Sequence, residues 1–171
     1  MSHSDDYFRD PPPRRIGALA LIRAQGGADD RTLLVDKAYR QNRAPHSWGL
    51  VGGSVEAWTR EVAEETGLRL QPGRLLAVDY VPATKTSAEG YNYVYDGGVI
   101  RPDTAIVLPE QELLGYAFVS PRDLERHLTP HAVRRVLAAL DALAKGTTAD
   151  LVRGYPADEW SSQDLPGTEH G

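Results

Sequence analysis

Arg60, Glu61, Glu64 and Glu65 crowd one short stretch of this sequence, and their spacing suggests a chemistry. On a helix, positions i, i+3 and i+4 share a face, so Glu61, Glu64 and Glu65 would present their carboxylate oxygens together. Such an all-oxygen donor set suits a hard divalent cation, Mg²⁺ or Mn²⁺. Taken alone, a face of this kind is more often a solvated acidic surface, because like charges at i, i+4 cost only about 0.2–0.5 kcal/mol on an exposed helix. The Gly52-Gly53 pair just upstream favours the metal reading, since a glycine turn at a strand end lets backbone carbonyls approach an ion or a phosphate.

The elements that must position these residues are legible around them. Residues 16–22 and 32–37 read as strands joined through the Gly26-Gly27 turn cluster, a hairpin pattern. Residues 48–51 form a short apolar strand ending at Gly52-Gly53, and the acidic helix that follows ends at Thr66 with Gly67 as its left-handed cap. For that helix, a Thr59 cap predicts a short run over 60–66 with 54–58 as a loop, in which Glu56 is available as a further carboxylate. A Ser54 cap would give a longer helix, and the Thr59 cap is preferred here.

Further strands are expected at 75–81, 91–100 and 116–119. The last helix has Thr129 as cap and Pro130 at its first position. Its apolar stripe is Val133, Val136, Leu137, Leu140 and Leu143, and Gly146 stops it. Residues 1–15, with Pro11-Pro12-Pro13, read as a flexible tail, and so do residues 147–171, which hold few apolar side chains, with local docking of Leu151, Val152 and Tyr155 as the alternative. The domain is then 16–146. Strands with helices inserted between them, without a regular βαβ alternation, indicate an α+β sandwich.

Composition excludes several functions. At 171 residues with 41% hydrophobic and 25% charged side chains, the chain fits one folded domain and not a disordered or fibrous protein. A net charge of -5 with scattered arginines has the wrong sign for coating nucleic acid. Without cysteine, disulfides, thiolate metal sites and cysteine nucleophiles drop out. The longest apolar run, 16–22, is too short for a membrane span, and the polar start is unlike a signal peptide, so the cytoplasm is the expected location. Neither a GxxxxGK[ST] phosphate loop nor a GxSxG nucleophile turn occurs.

The run Arg60-Glu61-Val62-Ala63-Glu64-Glu65-Thr66-Gly67-Leu68, introduced by Trp48-Gly-Leu-Val-Gly-Gly-Ser-Val-Glu56, resembles the Nudix hydrolase box Gx5Ex7REUxEExGU, where U is aliphatic. The second half is intact. The first half departs: only six residues separate Gly53 from Arg60 where the family has thirteen, so the box's first glutamate and its Gly-Glu turn are missing. A loss of seven residues is close to two helical turns, so the phase of the carboxylate face is nearly retained.

The resemblance implies an α/β/α sandwich with a mixed β-sheet and a Mg²⁺- or Mn²⁺-dependent hydrolase cleaving the diphosphate linkage of a nucleoside diphosphate derivative or nucleotide. It implies Glu61, Glu64 and Glu65 as metal ligands with the Gly53 carbonyl, and Arg60 as the residue that orients the carboxylates. It further implies a loop glutamate as general base, for which Glu112 is a better positional match than Glu110. A homodimer would be in keeping with the family. Arg40 and Arg43 are candidate phosphate contacts, and Tyr93, in the alternating Tyr91, Tyr93, Tyr95 set, is a candidate stacking residue, although strand tyrosines more often only pack. Because the box is shortened, a domain that binds a nucleotide-like ligand or a protein without efficient turnover is the rival expectation.

Overall fold

The computed structural model describes residues 13–25, 30–38, 48–85, 87–109 and 111–160. Among these, nine strands form one mixed sheet: β1 (Arg15–Ala24), β2 (Arg31–Lys37), β3 (Trp48–Gly49), β4 (Val51–Ser54), β5 (Leu75–Val81), β6 (Gly90–Ile100), β7 (Leu113–Val119), β8 (Ala149–Val152) and β9 (Tyr155–Pro156). Two α-helices pack on it, α1 (Trp58–Thr66) and α2 (Pro130–Lys145). No described helix is long and apolar enough to cross a membrane.

Alternation along β1 explains the layering. Ala18, Ala20 and Ile22 point into a core with Val51, Trp58 and Val62, beneath α1. Leu21 points the other way, into a core with Leu76, Val133 and Val136, beneath α2. A strand buried on both faces reads as a continuous apolar run, and 16–22 is such a run. The fold is the α/β/α sandwich with a mixed sheet.

The expected β1/β2 hairpin is reduced to two residue pairs, Arg23 with Thr32 and Ala24 with Arg31. Beyond them the strands splay, and the segment 48–54 fills the fork. Its first part, β3, pairs with β2 through Gly49 and Trp48, and its second part, β4, pairs with β1 from Val51 to Ser54. The other edge of β1 runs parallel to β6, and the other edge of β2 runs antiparallel to β7. The fork delivers Gly52 and Gly53 to the centre of the sheet.

Helix α2 starts at Pro130 and stops at Gly146, which adopts the left-handed conformation (φ 71°). Thr129 occupies the cap position without a side-chain capping bond, because its hydroxyl contacts the His131 ring instead. Its buried face is Val133, Val136 and Ala139, whereas Leu137, expected in the stripe, is exposed. The small Ala139 lets the helix sit close to the sheet, and Leu140 and Leu143 pack at the margin of the core.

The expectation of a flexible tail from 147 onward is corrected for its first part. β8 pairs parallel to β5, from Ala77 with Ala149 to Tyr80 with Val152, and β9 folds back on β8. What holds it is polar as well as apolar. Asp79, fully buried, accepts hydrogen bonds from Arg135 Nε (2.6 Å) and from the Gly154 amide (2.9 Å), and Leu151 is buried beside it. The scarcity of apolar residues that suggested a tail is offset by backbone pairing and by this buried ion pair.

Candidate active site

Helix α1 begins earlier than the Thr59 cap predicts. Ser54 is extended, a 3-10 turn at Val55–Ala57 follows at once, and α1 continues from Trp58, so no loop separates strand from helix. The reason is Trp58. Its side chain is 4% exposed and packs in the core with Val62, one turn along, and burying it requires residue 58 to be helical already. Thr59 is exposed and caps nothing, and Glu56 is exposed on the 3-10 turn.

The carboxylate face forms as the spacing requires, but its three members differ. Glu61 lies against Gly53, where a Cβ would come within 2.8 Å of the Glu61 Cδ. A side chain at position 53 would push the Glu61 carboxylate aside, so glycine there lets that carboxylate lie against the strand. Glu64 is exposed. Arg60 bridges the two, donating to Glu64 at 2.7 Å and to Glu61 at 2.9 Å. These hydrogen bonds and charges, Glu64 foremost, raise the guanidinium pKa further above its ordinary value.

Glu65 turns inward and is 7% exposed. Its Oε2 accepts the Gly52 amide at 2.9 Å and its Oε1 accepts from Lys37 Nζ at 3.3 Å. The same ammonium donates to the Gly52 carbonyl at 3.2 Å. Gly52 itself has φ 139° and lies so close to β1 that a Cβ would fall 2.1 Å from the Ala18 carbonyl oxygen. Lys37 is 3% exposed and was not singled out by its sequence context. A signal existed: it has the strand parity of Leu33 and Val35, both buried, and an ammonium at an inward position requires a buried acceptor.

The residues do not fit a divalent ion as they are arranged. Their donor chemistry is suitable, yet both Glu65 oxygens are engaged, the Gly52 carbonyl already accepts an ammonium, and Arg60 ties Glu61 to Glu64. Among the described residues no three His, Asp or Glu side chains are placed to hold a metal together.

Beside Lys37 opens a cleft of about 300 Å³, lined by Lys37, Trp48, Arg15, Asn92 and, from α2, His131 and Arg135. Lys37 thus belongs both to the cleft and to the carboxylate cluster. The His131 pKa is lowered to about 4, chiefly by burial and then by the Arg135 charge. Trp48 packs edge-on against His127 with ring centroids 5.1 Å apart.

Glu112 is exposed, and its carbonyl accepts the Ala38 amide at 2.9 Å, which places it at the end of β2 one residue past Lys37. Tyr93 lies elsewhere. It stands in a row with Tyr91 and Tyr80 on the sheet and is not among the residues lining the cleft. Arg40, Arg43 and Glu110 lie outside the described residues.

Comparison with known proteins identifies the family and the fold. The model of the NUDIX domain matches residues 12–140. No curated protein matches the sequence. Among solved structures, a MutT protein from Methanosarcina mazei is 25% identical, with a TM-score of 0.59 over 80% of this chain and 97% of that one. The NUDIX domain of Shewanella oneidensis NrtR, solved with ADP ribose, is 16% identical with a TM-score of 0.59 over 83% and 99%. An ADP-ribose pyrophosphatase from Streptococcus suis is 20% identical with a TM-score of 0.55 over 80% and 97%. The last two show likeness of fold. With the family model spanning most of the chain and Glu61 and Glu65 of the Arg60 to Leu68 run seated on the glycines of β4, the chain belongs to the NUDIX domain family.

Proposed function

We propose that the protein hydrolyses the diphosphate linkage of a nucleoside diphosphate derivative or nucleotide and requires Mg²⁺ or Mn²⁺ to do so. The observation that carries this reading is the carboxylate face of α1, docked on Gly52 and Gly53 and joined by Lys37 to a cleft of about 300 Å³. A cleft of this size, lined by charged and polar side chains as much as by apolar ones, has room for a small polar organic ligand. Arg15 in its wall would orient an anionic substrate, and Trp48 offers an apolar surface to its organic part.

In this reading Glu61, Glu64, Glu65 and the Gly53 carbonyl would be the cation ligands once Lys37 and Arg60 release the carboxylate oxygens they now pair with, and Arg60 otherwise holds the carboxylates in place. Glu112 is the proposed general base, accepting the proton of the attacking water. Arg40 and Arg43 remain proposed phosphate contacts and Tyr93 a proposed stacking residue. A homodimer in the cytoplasm is the proposed setting, with light scattering on the purified protein as the check on its size.

A second reading, a domain that binds a nucleotide-like ligand without efficient turnover, is favoured by one observation: all three carboxylates are already paired with Arg60 or Lys37. Release of phosphate, pyrophosphate or nucleoside monophosphate from nucleoside triphosphates, ADP-ribose, dinucleoside polyphosphates and sugar nucleotides separates the two. We expect turnover with Mg²⁺ or Mn²⁺ that chelator abolishes and that Glu64→Gln lowers by roughly a hundredfold or more, about 2.7 kcal/mol of barrier. Glu64 is half exposed, so this variant leaves the buried pair intact. Ligand binding without turnover on any substrate would select the second reading.

A further inference from the structure

Lys37 stands where a cation would. Its ammonium touches one carboxylate oxygen, on Glu65, and one backbone carbonyl, on Gly52, the donor types a hard divalent ion takes. Both charges are nearly buried, at 4% and 9% side-chain exposure, so each needs the other in the absence of any further ion. Around the cluster, three carboxylates face two fixed cations, since Arg60 serves Glu61 and Glu64 while Lys37 serves Glu65.

We propose that Lys37 is a built-in counter-ion that competes with divalent metal for Glu65, so that the substrate-free protein binds Mg²⁺ or Mn²⁺ weakly. The inference rests on the reading of Glu65 as a metal ligand and names the residue that regulates that ligand. The displaced ammonium has a destination, because Lys37 also lines the cleft. Occupancy of the carboxylate cluster and the position of the Lys37 side chain are therefore coupled, and whatever holds Lys37 in the cleft favours metal at Glu65.

The test uses the whole chain without substrate. Mn²⁺ is titrated into wild type, Lys37→Met, Lys37→Arg, and Lys37→Met combined with Glu65→Gln, with free Mn²⁺ read by electron paramagnetic resonance and Tm followed in parallel. Lys37→Met is expected to bind Mn²⁺ roughly tenfold or more tightly than wild type, since one opposing charge is gone from contact distance. It should also lose Tm without metal and regain it with Mn²⁺. Lys37→Arg should resemble wild type, and Glu65→Gln should cancel the gain. Equal affinity in folded wild type and Lys37→Met, or binding by neither, would overturn the proposal.

If Lys37→Met fails to fold, wild type decides. The chain has three lysines, Lys37, Lys85 and Lys145, so selective lysine labelling gives a spectrum that point variants at 85 and 145 assign. The Lys37 signal should move in step with Mg²⁺ saturation, and a Lys37 signal that stays fixed through saturation refutes the competition. None of these readouts involves turnover, so failure of the hydrolase reading and failure of this one remain distinguishable.

Discussion

His131 illustrates what a single buried titratable side chain does to stability. It sits in the wall of the cleft, its Nδ1 3.2 Å from the Thr129 hydroxyl, with Arg135, Arg134 and Arg153 disfavouring its charge and Asp79 favouring it. Burial dominates and lowers its pKa from the ordinary 6.5 to about 4. Between those values the unfolded chain binds a proton that the folded chain does not, so stability is full above pH 6.5 and falls as the pH drops toward 4. The slope is at most about 1.4 kcal/mol per pH unit and is reduced by the ring's partial exposure. Urea unfolding of His131→Asn between pH 7 and 4 should show a flatter profile than wild type; parallel profiles would contradict the assignment. At this scale Glu61, Glu64 and Glu65 were legible because i, i+3 and i+4 are fixed by local geometry. The pairing of Glu65 with Lys37 was not, because the two are 28 positions apart and meet only through the fork in the sheet.

At the scale of elements, the β4 to α1 junction is the distinctive feature. Relative to the family pattern seven residues are gone, and the chain passes from Ser54 through one 3-10 turn into the helix. The helix start is set by burial of Trp58 and not by a side-chain cap, which is why the threonine signal at 59 misled. Gly52→Ala and Thr59→Ala therefore form a matched pair. Gly52→Ala should destabilise by at least about 2 kcal/mol, because positive-φ strain is compounded by the close approach of β1. Thr59→Ala should stay within about 0.5 kcal/mol of wild type, as an exposed position without a capping role does. Chemical denaturation of both checks the assignment, and a cost above about 1 kcal/mol for Thr59→Ala would restore the cap. Other elements were legible where a local pattern terminates them, as with the end of α1 at Gly67 (φ 74°) and β5 at 75–81.

For the whole molecule, closure of the sheet by β8 and β9 matters more than the composition of that segment suggests. Asp79 on β5, Arg135 on α2 and the Gly154 amide meet in one buried contact, while Arg134 donates to the Arg153 carbonyl and stacks over the Tyr155 ring. Asp79→Ala strands the Arg135 guanidinium in the interior and should cost about 3–5 kcal/mol. Removal of residues after Gly146 should destabilise comparably, and both are measured by urea unfolding; a truncated chain as stable as wild type would return 147–160 to the status of a tail. The family, the carboxylate face of α1, the limits of α2 and the apolar strand at 16–22 were determined by sequence alone, because each depends on neighbours within one or two turns or on a local run of residue types. The β1/β2 fork, the seating of β8 on β5, and the Lys37 ammonium at Glu65 were decided by tertiary structure. Each of these depends on which strands pair and in what register, and that is a property of the assembled sheet and its two cores.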